Sequence, residues 1–123
     1  MSHLLDVNVL LPAIWSGHTH HQAAHDWLEG KAVTVCPLAE LGFVRISTGT
    51  LKAPMAQTRD LLKKFIEDRQ AARIHDDLPA LESHPKTSGQ VTDYYLAELA
   101  MKHGLKLATF DAGIKHPAVE LVT

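Results

Sequence analysis

Four carboxylates, far apart along the chain, carry the chemistry on offer: Asp6, Glu40, Asp93 and Asp111. Three of them break apolar neighbourhoods, Leu4-Leu5-Asp6-Val7, Pro37-Leu38-Ala39-Glu40-Leu41 and Ala108-Thr109-Phe110-Asp111. A carboxylate in such surroundings is costly to ionise unless a cation or hydrogen bonds compensate, and converging carboxylates repel one another. A divalent cation resolves both problems. Hard oxygen donors with no neighbouring thiolate favour Mg²⁺ or Mn²⁺ over zinc. A water on such an ion, partly deprotonated and aimed at phosphorus, is the usual nucleophile of metal-assisted phosphodiester hydrolysis. Taken singly, each acid is also readable as a helix cap or a solvated carboxylate, Asp93 after Thr92 above all. Their joint placement has to decide.

That placement depends on the elements around them. Apolar and β-branched runs predict strands over 3–6, 33–36, 73–75, 105–109 and 119–122. Helical spacing predicts helices over 7–15, 19–29 with Thr19 as cap, 37–47 with Pro37 in the first turn, 56–69 and 92–103 stopped by Gly104. Residues 78–82 read as a helical turn, 111–115 as a turn or short helix, and 83–90, rich in Ser, His, Pro, Lys, Thr and Gly, as an exposed mobile loop. Strands alternating with helices imply an α/β fold, a three-layer α/β/α sandwich around a mainly parallel sheet, formed by one domain over residues 1–123. Sites in such sheets lie beyond the carboxyl ends of the strands. Asp6 closes the first strand, Asp111 follows the fourth, Glu40 lies in the first turn of the helix after the second strand, and Asp93 opens the helix after the loop. All four therefore meet one edge, and the two helix N-termini favour the anionic forms of Glu40 and Asp93.

Composition sets the outer limits. The 123 residues are 46% hydrophobic and 21% charged, with a single cysteine, values that fit a globular domain without an internal disulfide. No apolar run approaches the ~18 residues of a membrane span, and no basic head precedes an apolar stretch at the N-terminus, so membrane insertion and export are not expected and a cytoplasmic location is. Twelve Lys and Arg against 14 Asp and Glu give a formal charge of -2, which by itself argues against a nucleic-acid partner. With the four candidate site acids set aside, ten acidic residues face twelve basic ones. The remainder is then mildly basic, and the acidic surplus belongs to the metal site.

Other residues compete for attention. His18, His20, His21 and His25 crowd one segment, and His21 and His25 lie four apart, a spacing that lets two imidazoles share a metal. A zinc hydrolase of the His-Glu-x-x-His kind needs Glu beside His21, where Gln22 stands, so an exposed helix start is the plainer reading. Arg45 and Lys52, near the third helix, are candidate RNA phosphate contacts, as are Arg59 and Lys86. For Arg45 a structural ion pair is equally compatible with the pattern, and Lys63, Lys64 and Arg69 read as a solvated face. Tyr94 and Tyr95 read as packing residues before base-stacking ones, Trp15 and Trp27 as core or interface anchors, and Cys36 as a small core residue. A phosphoacceptor receiver-like regulatory domain is a rival α/β architecture with an acidic Mg²⁺ pocket. It requires a pair of acids at the first strand, where Asp6 is followed by Val7 and Asn8, and only Asp76 and Asp77 speak for it.

Leu4-Leu5-Asp6-Val7-Asn8, Glu40 on the third helix, Thr92-Asp93-x-x-Leu96-Ala97 and Thr109-Phe110-Asp111, in that order and with these elements between them, resemble the PIN domain, specifically the VapC-type toxins of toxin-antitoxin pairs. The resemblance spans essentially the whole chain, and 18–28 is similar to that family's second helix. It implies a metal-dependent endoribonuclease, using Mg²⁺ or Mn²⁺, that cuts tRNA, rRNA or mRNA and is silenced by a cognate antitoxin protein. A homodimer is expected, with apolar helix surface that a small antitoxin could also cover. Asp6, Glu40, Asp93 and Asp111 become the metal-binding cluster, Asp6 and Asp93 direct ligands, with Glu40 and Asp111 acting directly or through water. Asn8 and Thr109 become polar supports that orient the acids. A PIN nuclease used in RNA processing without an antitoxin fits the same residues.

Overall fold

The computed structural model describes residues 2–123. Strand β1 (Ser2–Leu5) leads through helices α1 (Val7–Ile14) and α2 (His21–Leu28) to β2 (Ala32–Val35). Helices α3 (Pro37–Thr48) and α4 (Met55–Asp68) follow, then the two-residue strand β3 (Ala72–Arg73). After short 3₁₀ turns at Ala80–Glu82 and Ser88–Gln90 come α5 (Val91–Lys102), β4 (Lys106–Thr109) and β5 (Val119–Leu121). The sheet order is β3-β2-β1-β4-β5, and every pairing is parallel.

A parallel sheet hides both faces, and the strands show it. Leu4, Leu5, Val35, Leu107 and Ala108 are fully buried in consecutive runs rather than in alternation. α1 packs on α2 and α3, and α3 on α4, whereas α5 lies against β1 and β4. Right-handed crossovers account for this division: two steps outward from β1 place α1 to α4 on one face, and the return from β3 to β4 places α5 on the other. Among the described residues no helix is long and apolar enough to cross a membrane.

The strand order also removes the receiver-like reading. Receiver domains are wound in the order 2-1-3-4-5, with the third strand beside the first. Here β3 lies at the sheet edge beyond β2, far from Asp6. Asp76 caps α3, its Oδ2 accepting the Leu38 amide at 3.0 Å.

Three local expectations are corrected. α2 begins at His21 and Thr19 does not cap it, because the preceding turn satisfies its own amides: His21 N–H donates to the His18 carbonyl and His20 N–H to His18 Nδ1. The third strand ends at Arg73, although Ile74 N–H still reaches the Val35 carbonyl. Segment 83–90 is not uniformly exposed, since Ser83 is buried and Lys86 N–H is held by Gln90 Oε1.

One close approach governs how α1 meets α3. A Cβ on Gly42 would lie 2.6 Å from Val7 Cγ2, and Val7 follows Asp6 directly. Valine is stiff about χ1 and has little room to yield. Gly42→Ala is therefore expected to cost roughly 1–2 kcal/mol, overpacking outweighing the helix-propensity gain. Thermal unfolding reads this directly, and a variant as stable as the parent would show that α1 can shift without strain.

Candidate active site

Asp6 is placed by backbone as much as by side chain. Its N–H donates to the Ala108 carbonyl at 3.1 Å, extending the β1–β4 ladder, and its carbonyl accepts the Val9 and Leu10 amides as α1 begins. The carboxylate is buried, and Thr109 Oγ1 donates to Oδ2 at 2.9 Å. That fully buried hydroxyl is saturated: it also accepts from Asn8 Nδ2 at 3.0 Å and from the Asp111 amide at 3.1 Å. Asn8 Oδ1 in turn accepts the Phe110 amide at 3.1 Å. Asp111 Oδ1 accepts Gly113 N–H at 2.8 Å, which shapes the turn after β4. One network thus ties the end of β1 to the end of β4.

Electrostatics divide the four acids. Burial pushes Asp6 from 3.8 up to about 6, with the charge of Asp93 adding to it; the Thr109 hydroxyl and the nearby Val7 and Asn8 amides oppose the shift without cancelling it. Asp93, in the first turn of α5, is raised by burial and then by Asp111. Asp6, Asp93 and Asp111 therefore form one interacting chain of charges. Glu40 belongs to a separate environment. It is raised by burial, but Arg73 Nη2 stands 3.4 Å from its Oε2, and its other charged neighbour is Asp76.

Among the described residues no three His, Cys, Asp or Glu side chains converge closely enough to cage a cation. Mg²⁺ does not require a cage, since it commonly keeps several waters and uses one or two carboxylates. The donors present suit it: all are oxygens, Asp6 and Asp93 are held where ionisation is unfavourable, and no thiolate is at hand. The one cysteine, Cys36, is buried beside Asp76 and pushed up to about 12, chiefly by burial. These oxygen donors fit a hard divalent ion.

The histidines do not assemble a metal site. His21 Nδ1 engages the Pro12 carbonyl at 2.7 Å, and the His21 and His25 rings stand 6.2 Å apart and tilted. Arg45 is exposed and, among the described residues, pairs with no acid; it borders a hollow with Val7 and Thr92, the neighbours of Asp6 and Asp93. Lys52 is exposed on the turn after α3. Tyr95 is a packing residue, its hydroxyl donating to the Leu78 carbonyl, and Trp15 Nε1 donates to Ser47 Oγ beside Phe43.

Two participants escaped the reading of the sequence. Arg73 reaches Glu40 because β3 registers Arg73 against Val35, two residues before α3, and a two-residue strand leaves no periodicity to reveal this. Phe110, read only as an apolar spacer, stacks against His20 beside Asp111.

Comparison with known proteins identifies the family and the fold. The PIN domain family matches residues 3–120. The chain is 36% identical to ribonuclease VapC38 of Mycobacterium tuberculosis, covering 90% of this chain and 86% of that one. It is 34% identical to ribonuclease VapC29 of the same organism, over 94% and 90% of the two chains. A chain in the crystal structure of VapBC2 from Rickettsia felis, bound to a DNA fragment from its promoter, superposes with a TM-score of 0.63 over 98% of this chain and 97% of that one. At 15% identity this last likeness speaks for the fold alone. Matched nearly end to end, and with its acids at the carboxyl edge of the parallel sheet, the chain belongs to the PIN-domain family.

Proposed function

We propose that the protein is a metal-dependent endoribonuclease, the toxin of a toxin-antitoxin pair. The observation that carries this is Asp6: a buried carboxylate, raised to about 6, anchored by Thr109 and coupled to Asp93 at the open end of a PIN-type sheet. Relatives at 34–36% identity that are named ribonucleases support the reaction class.

Asp6 and Asp93 would hold Mg²⁺ or Mn²⁺, with Asp111 adjoining them. The bound ion would neutralise the acidic cluster and supply an activated water for attack on phosphorus. Thr109 and Asn8 keep the Asp6 carboxylate in one orientation. Glu40, paired with Arg73, acts from the flank, and Arg45 and Lys52 offer exposed cations for RNA phosphates. Water adds across the phosphodiester, leaving a phosphomonoester on one fragment and a hydroxyl on the other. No 2′,3′-cyclic phosphate forms, which separates this activity from contaminating metal-independent ribonucleases. An antitoxin and a second copy of the chain are the proposed protein partners, with tRNA, rRNA and mRNA as candidate substrates.

The test uses purified protein and total RNA with Mg²⁺, with Mn²⁺ and with excess chelator. Cleavage is expected with either ion and not with chelator, and Asp93→Asn should lower it at least ~100-fold, the scale seen when one preorganised charge-stabilising group is removed. Equal cleavage by both proteins, or in chelator, would overturn the mechanism. Growth arrest on expression, relieved by co-expressing a small protein encoded beside it, tests the toxin assignment.

A further inference from the structure

The segment joining α1 to α2 is short, polar and glycine-containing, yet it is tied down at four points. His18 N–H donates to the Trp15 carbonyl, His21 N–H to the His18 carbonyl and His20 N–H to His18 Nδ1, and His21 Nδ1 engages the Pro12 carbonyl. These bonds hold the exposed His20 ring over Phe110, with centroids 5.4 Å apart and planes inclined by 29°. Phe110 is equally fixed. It sits between Thr109 and Asp111, and Asn8 Oδ1 grips its amide. The result is a rigid, partly exposed aromatic step one residue from Asp111 and joined through Asn8 and Thr109 to Asp6.

Beyond the step the surface continues in kind. The His18 ring lies 5.8 Å from His20, and His18 lines a hollow with Trp15, Leu51 and Ala53, the last two flanking the exposed Lys52. Burial and the neighbouring His20 and His21 push His18 below the usual histidine range, which favours its uncharged form. The His18 and His20 rings thus lie side by side next to Phe110, and among the described residues the rings do not converge on a metal.

Unpaired RNA bases are recognised on faces of this kind, stacked on Phe, Tyr, Trp or His while the backbone follows nearby cations. We propose that the His20–Phe110 step is the stacking subsite for an unpaired nucleobase next to the scissile phosphodiester. The proposal rests on the ribonuclease reading and adds what that reading lacks, a place where the protein grips the substrate's base. It requires the substrate to be single-stranded, looped or bulged at the cut.

The experiment measures binding, so that it is read separately from cleavage. In the Asp93→Asn background, fluorescence anisotropy follows labelled eight-nucleotide oligo-A and an otherwise identical oligomer with abasic central positions. His20→Ala should weaken oligo-A binding roughly 5- to 100-fold, the range for one lost base–aromatic stack. His20→Phe should restore most of it, because it keeps the face and removes the polar nitrogens. Binding of the abasic oligomer should be the same with His20 and with Ala at that position. Unchanged oligo-A binding in His20→Ala would overturn the proposal. So would failure of His20→Phe to restore it, or an equal loss with the abasic oligomer, since both would assign His20 a polar or merely structural role. Thermal unfolding of His20→Ala within a few degrees of the parent confirms that the loop survives the substitution. If the ribonuclease reading itself were wrong, the parent chain would not cut RNA in Mg²⁺ or Mn²⁺, whatever these binding ratios are.

Discussion

Asp6→Asn is expected to make the metal-free protein more stable at pH 7.5 while removing its activity. The Asp6 carboxyl titrates at about 6 in the fold and at 3.8 in the ordinary state, with burial the main cause. Between those values the folded chain binds more protons than the unfolded one, so stability falls as pH rises from about 4 to about 7 and then levels off. A displacement of this size corresponds to roughly 3 kcal/mol by the usual conversion. Asparagine keeps an oxygen for the Thr109 hydroxyl to bond and carries no charge to desolvate. Denaturant unfolding in chelator at pH 5 and pH 7.5 should show the parent losing about 1.4 kcal/mol, the part of that total that falls above pH 5, and Asp6→Asn losing much less. A residual slope is expected from Asp93 and Glu40, both raised by burial. Millimolar Mn²⁺ should stabilise the parent and leave the variant unmoved, because an ion that binds only the native state stabilises it by mass action. RNA cleavage should drop at least ~100-fold. Equal pH slopes for the two proteins would mean that Asp6 is solvated, and the site as described would fail.

Thr109→Val should damage the site without damaging the shape of the core. The substitution conserves volume but deletes a hydroxyl that donates to Asp6 and accepts from Asn8 and the Asp111 amide. Stranding those groups should cost about 1–3 kcal/mol. Cleavage should fall 10- to 100-fold, the usual effect of removing a group that orients a metal ligand. The Thr109 hydrogen bond is one of the influences that lower Asp6, so its loss should move the acidic limb of the pH–rate profile to higher pH. Thr109→Ser, which retains the hydroxyl, should keep most of the activity and an unshifted profile. A valine variant with full activity and an unmoved acidic limb would reduce Thr109 to a packing residue.

Much of this arrangement was legible in the residues. Apolar runs and amphipathic stretches mark out the five α-helices and every strand but β3 to within two residues, and continuous burial of Leu4-Leu5 and Leu107-Ala108 is what an all-parallel sheet requires. That Asp6 and Asp111 share an edge follows from their positions after strands, and the roles of Asn8 and Thr109 came from the family resemblance. What stayed hidden depends on register and on tertiary contact. The four acids read as one cluster, yet Glu40 turns to Arg73, a pairing set by two residues of an edge strand. Thr19 has the chemistry of a helix cap, but α2 begins two residues later, after a turn in which the His18 ring and carbonyl take the His20 and His21 amides. Ser83 has the composition of a surface loop and is buried by what folds over it. The histidine cluster drew attention as a possible metal site, whereas its partner is an unremarked phenylalanine 90 positions away in the chain.

β1 lies between β2 and β4, and the bond from Thr109 to Asp6 spans 103 positions. During synthesis, β1, α1 to α4 and β2 emerge early and have their pairing partners, but one side of β1 stays open until β4, which begins at Lys106, is available. Until then Asp6 has neither its hydroxyl donor nor its neighbour Asp111, and the half-built sheet carries no assembled centre. A chain that ends before Lys106 is therefore expected to cut no RNA.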